Sequence, residues 1–212
     1  MLGFHSGRAS VLYRETNMLG QSYQGCITIV SGLPRSGTSM MMQMLAAGGI
    51  DILTDNIRRA DQDNPKGYYE FEPVKAVGSD ASWLAAAKGK AVKMVYLLLY
   101  ELSTDYQYKI ILMNRSIDEV IASQKIMLLR QAHVTDALSA TNLAQVFRND
   151  LRKLRAWLEC QVNCEVLTVD YNFAIKQPQR VVDEICQFLN RPLDAESMTK
   201  VLDADLYRQR LP

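Results

Sequence analysis

The run Cys26-Ile27-Thr28-Ile29-Val30-Ser31-Gly32-Leu33-Pro34-Arg35-Ser36-Gly37-Thr38-Ser39, continued by Met40-Met41-Met42-Gln43-Met44-Leu45, decides the fold of this chain. A β-rich apolar segment breaks at glycine and proline and restarts as an apolar helix, which reads as strand, tight loop, helix. Such a loop turns successive backbone N–H groups toward one point, and the new helix adds the positive end of its dipole. The loop is therefore read as a cradle for phosphate or sulfate. Arg35 brings a planar, permanently charged fork, and Ser36, Thr38 and Ser39 bring hydroxyls at the helix start.

The loop nearly fits the nucleotide pattern G-x-x-x-x-G-K-[ST]. Gly32, Gly37 and Ser39 are in register, but Thr38 stands in the place of the lysine. In a nucleoside triphosphatase that lysine reaches the β/γ-phosphates, and the next hydroxyl helps hold Mg²⁺. Its absence argues against ATP chemistry.

Outward from the loop, the helix from about residue 37 to 47 is apolar nearly all round, so it is buried and its methionines are core. Ile50-Asp51-Ile52 reads as a short strand. Residues 54 to 71 are polar and irregular, a long loop of the kind that carries function. Within it Tyr68-Tyr69-Glu70-Phe71-Glu72 alternates; if extended, it puts Tyr68, Glu70 and Glu72 on one face. Pro73 can open the next helix, with Trp83 and Leu84 among its apolar contacts.

Lys90 to Leu99 reads as an apolar strand interrupted by Lys93, and Lys109 to Arg115 as another ending in a charge. Ser116 and Glu119 have the spacing of a capping box, and Ile117, Val120, Ile121, Gln124 and Leu128 mark the inner stripe of the helix after them. A longer helix, about 137 to 160, buries Leu143, Phe147, Leu151, Leu154 and Leu158 and leaves Arg148, Arg152 and Arg155 to solvent. Glu165 to Val169 is the last strand, followed by an amphipathic helix from Pro178 to Leu189 and a short one from Asp194 to Leu202.

Strands alternating with helices imply right-handed crossovers and a parallel sheet covered on both faces, a three-layer αβα fold like that of the P-loop NTPases. The 212 residues suit one domain, at 25–212, behind a loose polar leader at 1–24. Hydrophobic residues make up 48% and charged residues 22%, an ordinary globular balance, and the net charge of +1 excludes a broad electrostatic nucleic-acid binder. No apolar run approaches a membrane span or a signal-peptide core, so the expected location is cytoplasmic. Cys26, Cys160, Cys164 and Cys186 lack paired spacing and read as reduced thiols, and His5 and His133 are too few for a metal site.

Pro34-Arg35-Ser36-Gly37-Thr38-Ser39 resembles the 5′-phosphosulfate loop of the sulfotransferases that use 3′-phosphoadenosine 5′-phosphosulfate, PAPS. A second element agrees: the R-x7-S spacing from Arg115 to Ser123 resembles the one with which those enzymes grip the 3′-phosphate. Val169-Asp170-Tyr171, Phe188-Leu189-Asn190 and Leu206-Tyr207-Arg208 are similar to bacterial members, so the likeness runs over roughly residues 26 to 208. The G-x-x-G-x-x-K segment of cytosolic members is missing, and Arg208 or Arg210 is the candidate replacement.

The resemblance implies PAPS as cofactor, no metal, and a small-molecule or carbohydrate acceptor. Cofactor contacts fall to Pro34, Arg35, Ser36, Gly37, Thr38, Ser39, Arg115 and Ser123. Lys93 matches the lysine of the family's K-x-H pattern, but position 95 is Val95, so the histidine base is absent. Glu70 lies where carbohydrate- and tyrosine-directed members keep a glutamate, and is expected to take the acceptor proton while Lys93 and Arg35 offset charge on the bridging oxygen. Glu72 is its rival, with Asp61 and Asp63 behind it. Two other readings stand beside this one: a P-loop kinase of a nucleoside or metabolite, disfavoured by Thr38, and a non-catalytic nucleotide-binding relative.

Overall fold

A computed structural model describes residues 25–130 and 140–202, except 56, 59, 62, 63, 65 and 66, with backbone alone at 128–130, 140 and 141. The leader, both histidines, Asp63, the side chain of Leu128 and the 206–210 segment lie outside the described residues.

Five strands form one sheet in the order β2-β3-β1-β4-β5: β1 Ile27–Gly32, β2 Ile52–Leu53, β3 Ala91–Lys93, β4 Tyr108–Asn114 and β5 Cys164–Asp170. Every pairing is parallel, as expected. β1 is buried throughout because it lies at the centre of the sheet with both faces covered. Its side chains alternate. Ile27 and Ile29 join the core under α3 (Ile117–Arg130) and α4 (Ala140–Leu158), with Val120, Phe147, Leu151 and Leu154. Val30 joins the opposite core under α1 (Thr38–Ala47) and α6 (Pro178–Leu189), with Met41, Met42, Val181, Val182 and Ile185. Along α4 the predicted inner residues are buried or half-buried, and Arg148, Arg152 and Arg155 stand exposed. All four cysteines are free thiols.

The chain builds β2 and β3 on one side of β1 and β4 and β5 on the other. Loops at the carboxyl ends of the strands therefore diverge beside β1, where ligands of open parallel sheets bind.

Several expectations need correction. The strand predicted from Lys90 to Leu99 stops at Lys93. β1 offers β3 partners only as far as Val30, paired with Lys93, before it bends into the loop; the last ladder bond runs from Met94 N–H to Val30 O at 3.0 Å. The apolar residues beyond form a 3₁₀ turn, Tyr96–Glu101, whose buried Tyr96 and Leu99 are three apart, matching its three-residue period. The short strand near 50 is Ile52–Leu53, and Pro73 opens a 3₁₀ turn, Glu72–Ala76, separate from α2 (Leu84–Ala87). The alternation through 68–72 is broken because Tyr69 is left-handed, at φ 54°.

Candidate active site

The loop between β1 and α1 is held by close approaches that a side chain would prevent. A Cβ on Gly37 would lie 2.4 Å from Cδ2 of Tyr171, and Gly37 sits at φ 99°. A Cβ on Gly32 would meet Ser36 Oγ at 2.6 Å and the Met113 carbonyl at 2.7 Å. Arg35 adopts the left-handed region at φ 69°, a conformation worth of order 1 kcal/mol of strain in a non-glycine residue and one that gathers at binding loops. No side chain caps α1. Its first-turn N–H groups have no partner within the helix, and beside them the buried hydroxyl of Ser36 makes no hydrogen bond. Pro34 is exposed, while Thr38 and Ser39 are half-buried in the first turn of α1.

The two motifs predicted to grip opposite ends of a ligand touch each other. Arg35 Nε donates to Ser123 Oγ at 3.0 Å, and Arg115 Nη1 donates to the Arg35 carbonyl at 3.1 Å. Arg115 Nε donates to Glu119 Oε2 at 2.8 Å, and its guanidinium lies 4.5 Å from the Tyr171 ring centre. Glu119 Oε1 in turn accepts from Asn172 Nδ2 at 3.1 Å. Tyr171 opens α5 (Tyr171–Lys176), whose N-cap Asp170 accepts from Phe173 N–H at 2.8 Å. Burial pushes the Tyr171 phenol up, opposed by Arg115, supported by Glu119 and opposed again by Arg35.

Glu70 and Lys93 also meet, across 3.6 Å, at the carboxyl end of β3. Burial pulls the Lys93 ammonium down to about 8, against the upward pull of Glu70. Lys93 also donates to the Tyr68 carbonyl, which accepts from Ser39 Oγ at 3.4 Å, so this loop is pinned to both β3 and α1. Arg58 completes the cluster: its Nη1 is 2.9 Å from Glu70 Oε1, and its guanidinium lies 3.5 Å from the Tyr68 ring centre. Tyr68 donates to Asp61, and burial followed by that bond pushes its phenol up to about 12, with Arg58 opposing. Glu72, the rival base, pairs with Lys75 at 2.7 Å instead.

Sequence reading missed Glu119 as a site residue, having assigned it to a helix cap. The available signal was an acid four residues after a strand-end arginine, a spacing that returns it to the same helical face. Arg58 was lost among the charges of the 54 to 71 loop.

Fold and site define a parallel α/β protein with a strand, glycine-bent loop and helix at the centre of its sheet. The chain belongs to the sulfotransferase domain family, whose model matches residues 27–205, and is thus placed among transferases. Two solved structures share the fold. The sulfotransferase domain from the curacin biosynthetic pathway is 17% identical, with a TM-score of 0.52 over 85% of this chain and 79% of that one. The sulfotransferase domain from the Synechococcus PCC 7002 olefin synthase is 18% identical, with a TM-score of 0.52 over 86% and 78%. A comparison with curated proteins gives no match. Among the described residues no helix is long and apolar enough to cross a membrane, and no cluster of three or more His, Cys, Asp or Glu is placed to hold a metal.

Proposed function

We propose that the chain transfers a sulfuryl group from PAPS to a hydroxyl or amine on a small molecule or glycan. The observation that carries this reading is the meeting of the 34–39 loop with Arg115 and Ser123 through Arg35, beside the Glu70–Lys93 pair at the end of β3. Two features fit an anionic nucleotide: the unpartnered buried hydroxyl of Ser36 and the uncapped start of α1.

When bound, PAPS supplies the activated sulfuryl group. Residues Pro34 to Ser39 would hold its 5′ end, and Arg115 and Ser123 its 3′-phosphate. Glu70 receives the acceptor hydroxyl proton on its carboxylate, and Lys93, largely protonated below about pH 8, sets a positive charge beside it. Arg35 adds a second positive charge from the loop. The juxtaposed acid and lysine favour turnover over silent nucleotide binding.

The test is calorimetric titration with adenosine 3′,5′-bisphosphate and, separately, ATP with Mg²⁺, followed by a PAPS desulfation assay over a mixed acceptor panel. Bisphosphate binding indifferent to Mg²⁺, with acceptor-dependent desulfation, is the expected result. Tight Mg²⁺-dependent ATP binding with phosphate reaching an acceptor would move the chain to the kinases.

A further inference from the structure

Glu119 is a carboxylate in an unusually dry place. The residue is 3% exposed, packed in the first turn of α3 beside buried Val120. A buried carboxylate is costly unless its oxygens are met by charge and hydrogen bonds, and replacing a whole buried ion pair by well-packed apolar residues is often neutral or stabilising, so stability alone does not account for this pair. Here Oε2 receives Arg115 Nε at 2.8 Å and Oε1 receives Asn172 Nδ2 at 3.1 Å.

The consequence falls on Arg115. Contacts on several sides bear on one rigid guanidinium, among them Nε on Glu119, Nη1 on the Arg35 carbonyl, and its charge centre over Tyr171. A planar group with fixed donors held at two edges and one face has its plane and rotation both determined. Glu119 is itself oriented by Asn172, so the starts of α3 and α5, which follow neighbouring strands β4 and β5, are tied through this one carboxylate.

We infer that Glu119 is a positioning residue that presets Arg115 to recognise the 3′-phosphate of the nucleotide. This rests on the nucleotide reading above. Its physical signature is a sign. A negative charge beside an anion site opposes anion binding through space, so simple removal of the charge strengthens binding of every anion. Loss of positioning does the opposite, and only for ligands that use Arg115.

The experiment compares adenosine 3′,5′-bisphosphate with adenosine 5′-monophosphate by calorimetry on the wild type, Glu119→Gln, Arg115→Ala and the double variant, with thermal unfolding alongside. Glu119→Gln, which keeps shape and one acceptor, is expected to weaken the bisphosphate about tenfold, the worth of one charge-assisted hydrogen bond, and to leave the monophosphate nearly unchanged. In the Arg115→Ala background it should add no further loss. Equal weakening of both ligands, or tighter binding of both, overturns the inference. If the wild type prefers the bisphosphate, Arg115→Ala abolishes that preference and Glu119→Gln keeps it, only the role of Glu119 is wrong. If the wild type shows no preference, the nucleotide reading fails and this inference with it. Should Glu119→Gln not fold, Asn172→Ala keeps the ion pair and removes the Asn172 bond to the carboxylate. A reduced bisphosphate preference is then expected, and an undiminished one refutes the role.

Discussion

Two carboxylates in this site each lie among cations, and the protein treats them differently. Arg115 and Glu119 are buried, with side chains 8% and 4% exposed, on the end of a strand and the first turn of a helix. Arg58 and Glu70 are 39% and 28% exposed, on an irregular loop. Breaking a buried pair strands a charge in a low dielectric, whereas an exposed pair exchanges its partner for water at little cost. The first arrangement suits a ligand group that is always the same, and the second suits a carboxylate that must change partners as an acceptor arrives.

The sharpest way to break this comparison is at the loop. Glu70→Gln keeps shape and removes basicity, so turnover should fall about 10²- to 10⁴-fold while nucleotide affinity holds, and Glu72→Gln, whose carboxylate is engaged with Lys75, should be near normal. A slow Glu72 variant beside a normal Glu70 variant assigns the base to the other carboxylate.

Next in size is stability. Chemical denaturation of Glu119→Ala should show a loss of about 3 to 5 kcal/mol, because Arg115 is left buried without its counter-ion. Arg58→Ala should cost no more than about 1 kcal/mol, and an equal loss for both would erase the contrast drawn above.

Lys93 supplies a pH test. Its folded value of about 8 lies below the ordinary 10.5, so between those values the unfolded chain binds more protons and this group's contribution to stability improves as pH rises. Below about pH 8 the penalty is constant, at most about 3 kcal/mol. The stability of Lys93→Met relative to wild type should therefore fall as pH rises through 8 to 10.5 in paired denaturation curves. A relative stability that rises with pH would reverse the assignment.

Smaller again is recognition at the buried end. Arg115→Ala should weaken adenosine 3′,5′-bisphosphate about ten- to a hundredfold, with little effect on adenosine 5′-monophosphate. A common loss for both ligands would assign Arg115 to the loop's architecture.

What could be seen in the sequence follows from how local each determinant is. The core strands 27–32, 108–114 and 164–170 and the helix 178–189 announce themselves through burial periodicity, which depends only on neighbours in the chain. The Arg115–Ser123 spacing and the glycine loop are local too. The end of β3 at Lys93 is set by where β1 turns away, a distant event, so residues 90–99, apolar but for two lysines, looked like one strand. The left-handed backbone at Tyr69 has no composition signal, yet it decides how Tyr68, Glu70 and Glu72 are distributed. Glu119 carried only half a signal, its spacing from Arg115, because its other partner Asn172 lies 53 positions away.

The ring of Tyr171 touches both the loop and the guanidinium, fitting into the space left by Gly37 and stacking on Arg115. Together with the bond from Arg115 to the Arg35 carbonyl it fixes how far apart the two can stand. On the nucleotide reading proposed above, that fixed spacing is a gauge of length, and a 2′,5′-bisphosphate is expected to bind more weakly than its 3′,5′ isomer in calorimetry.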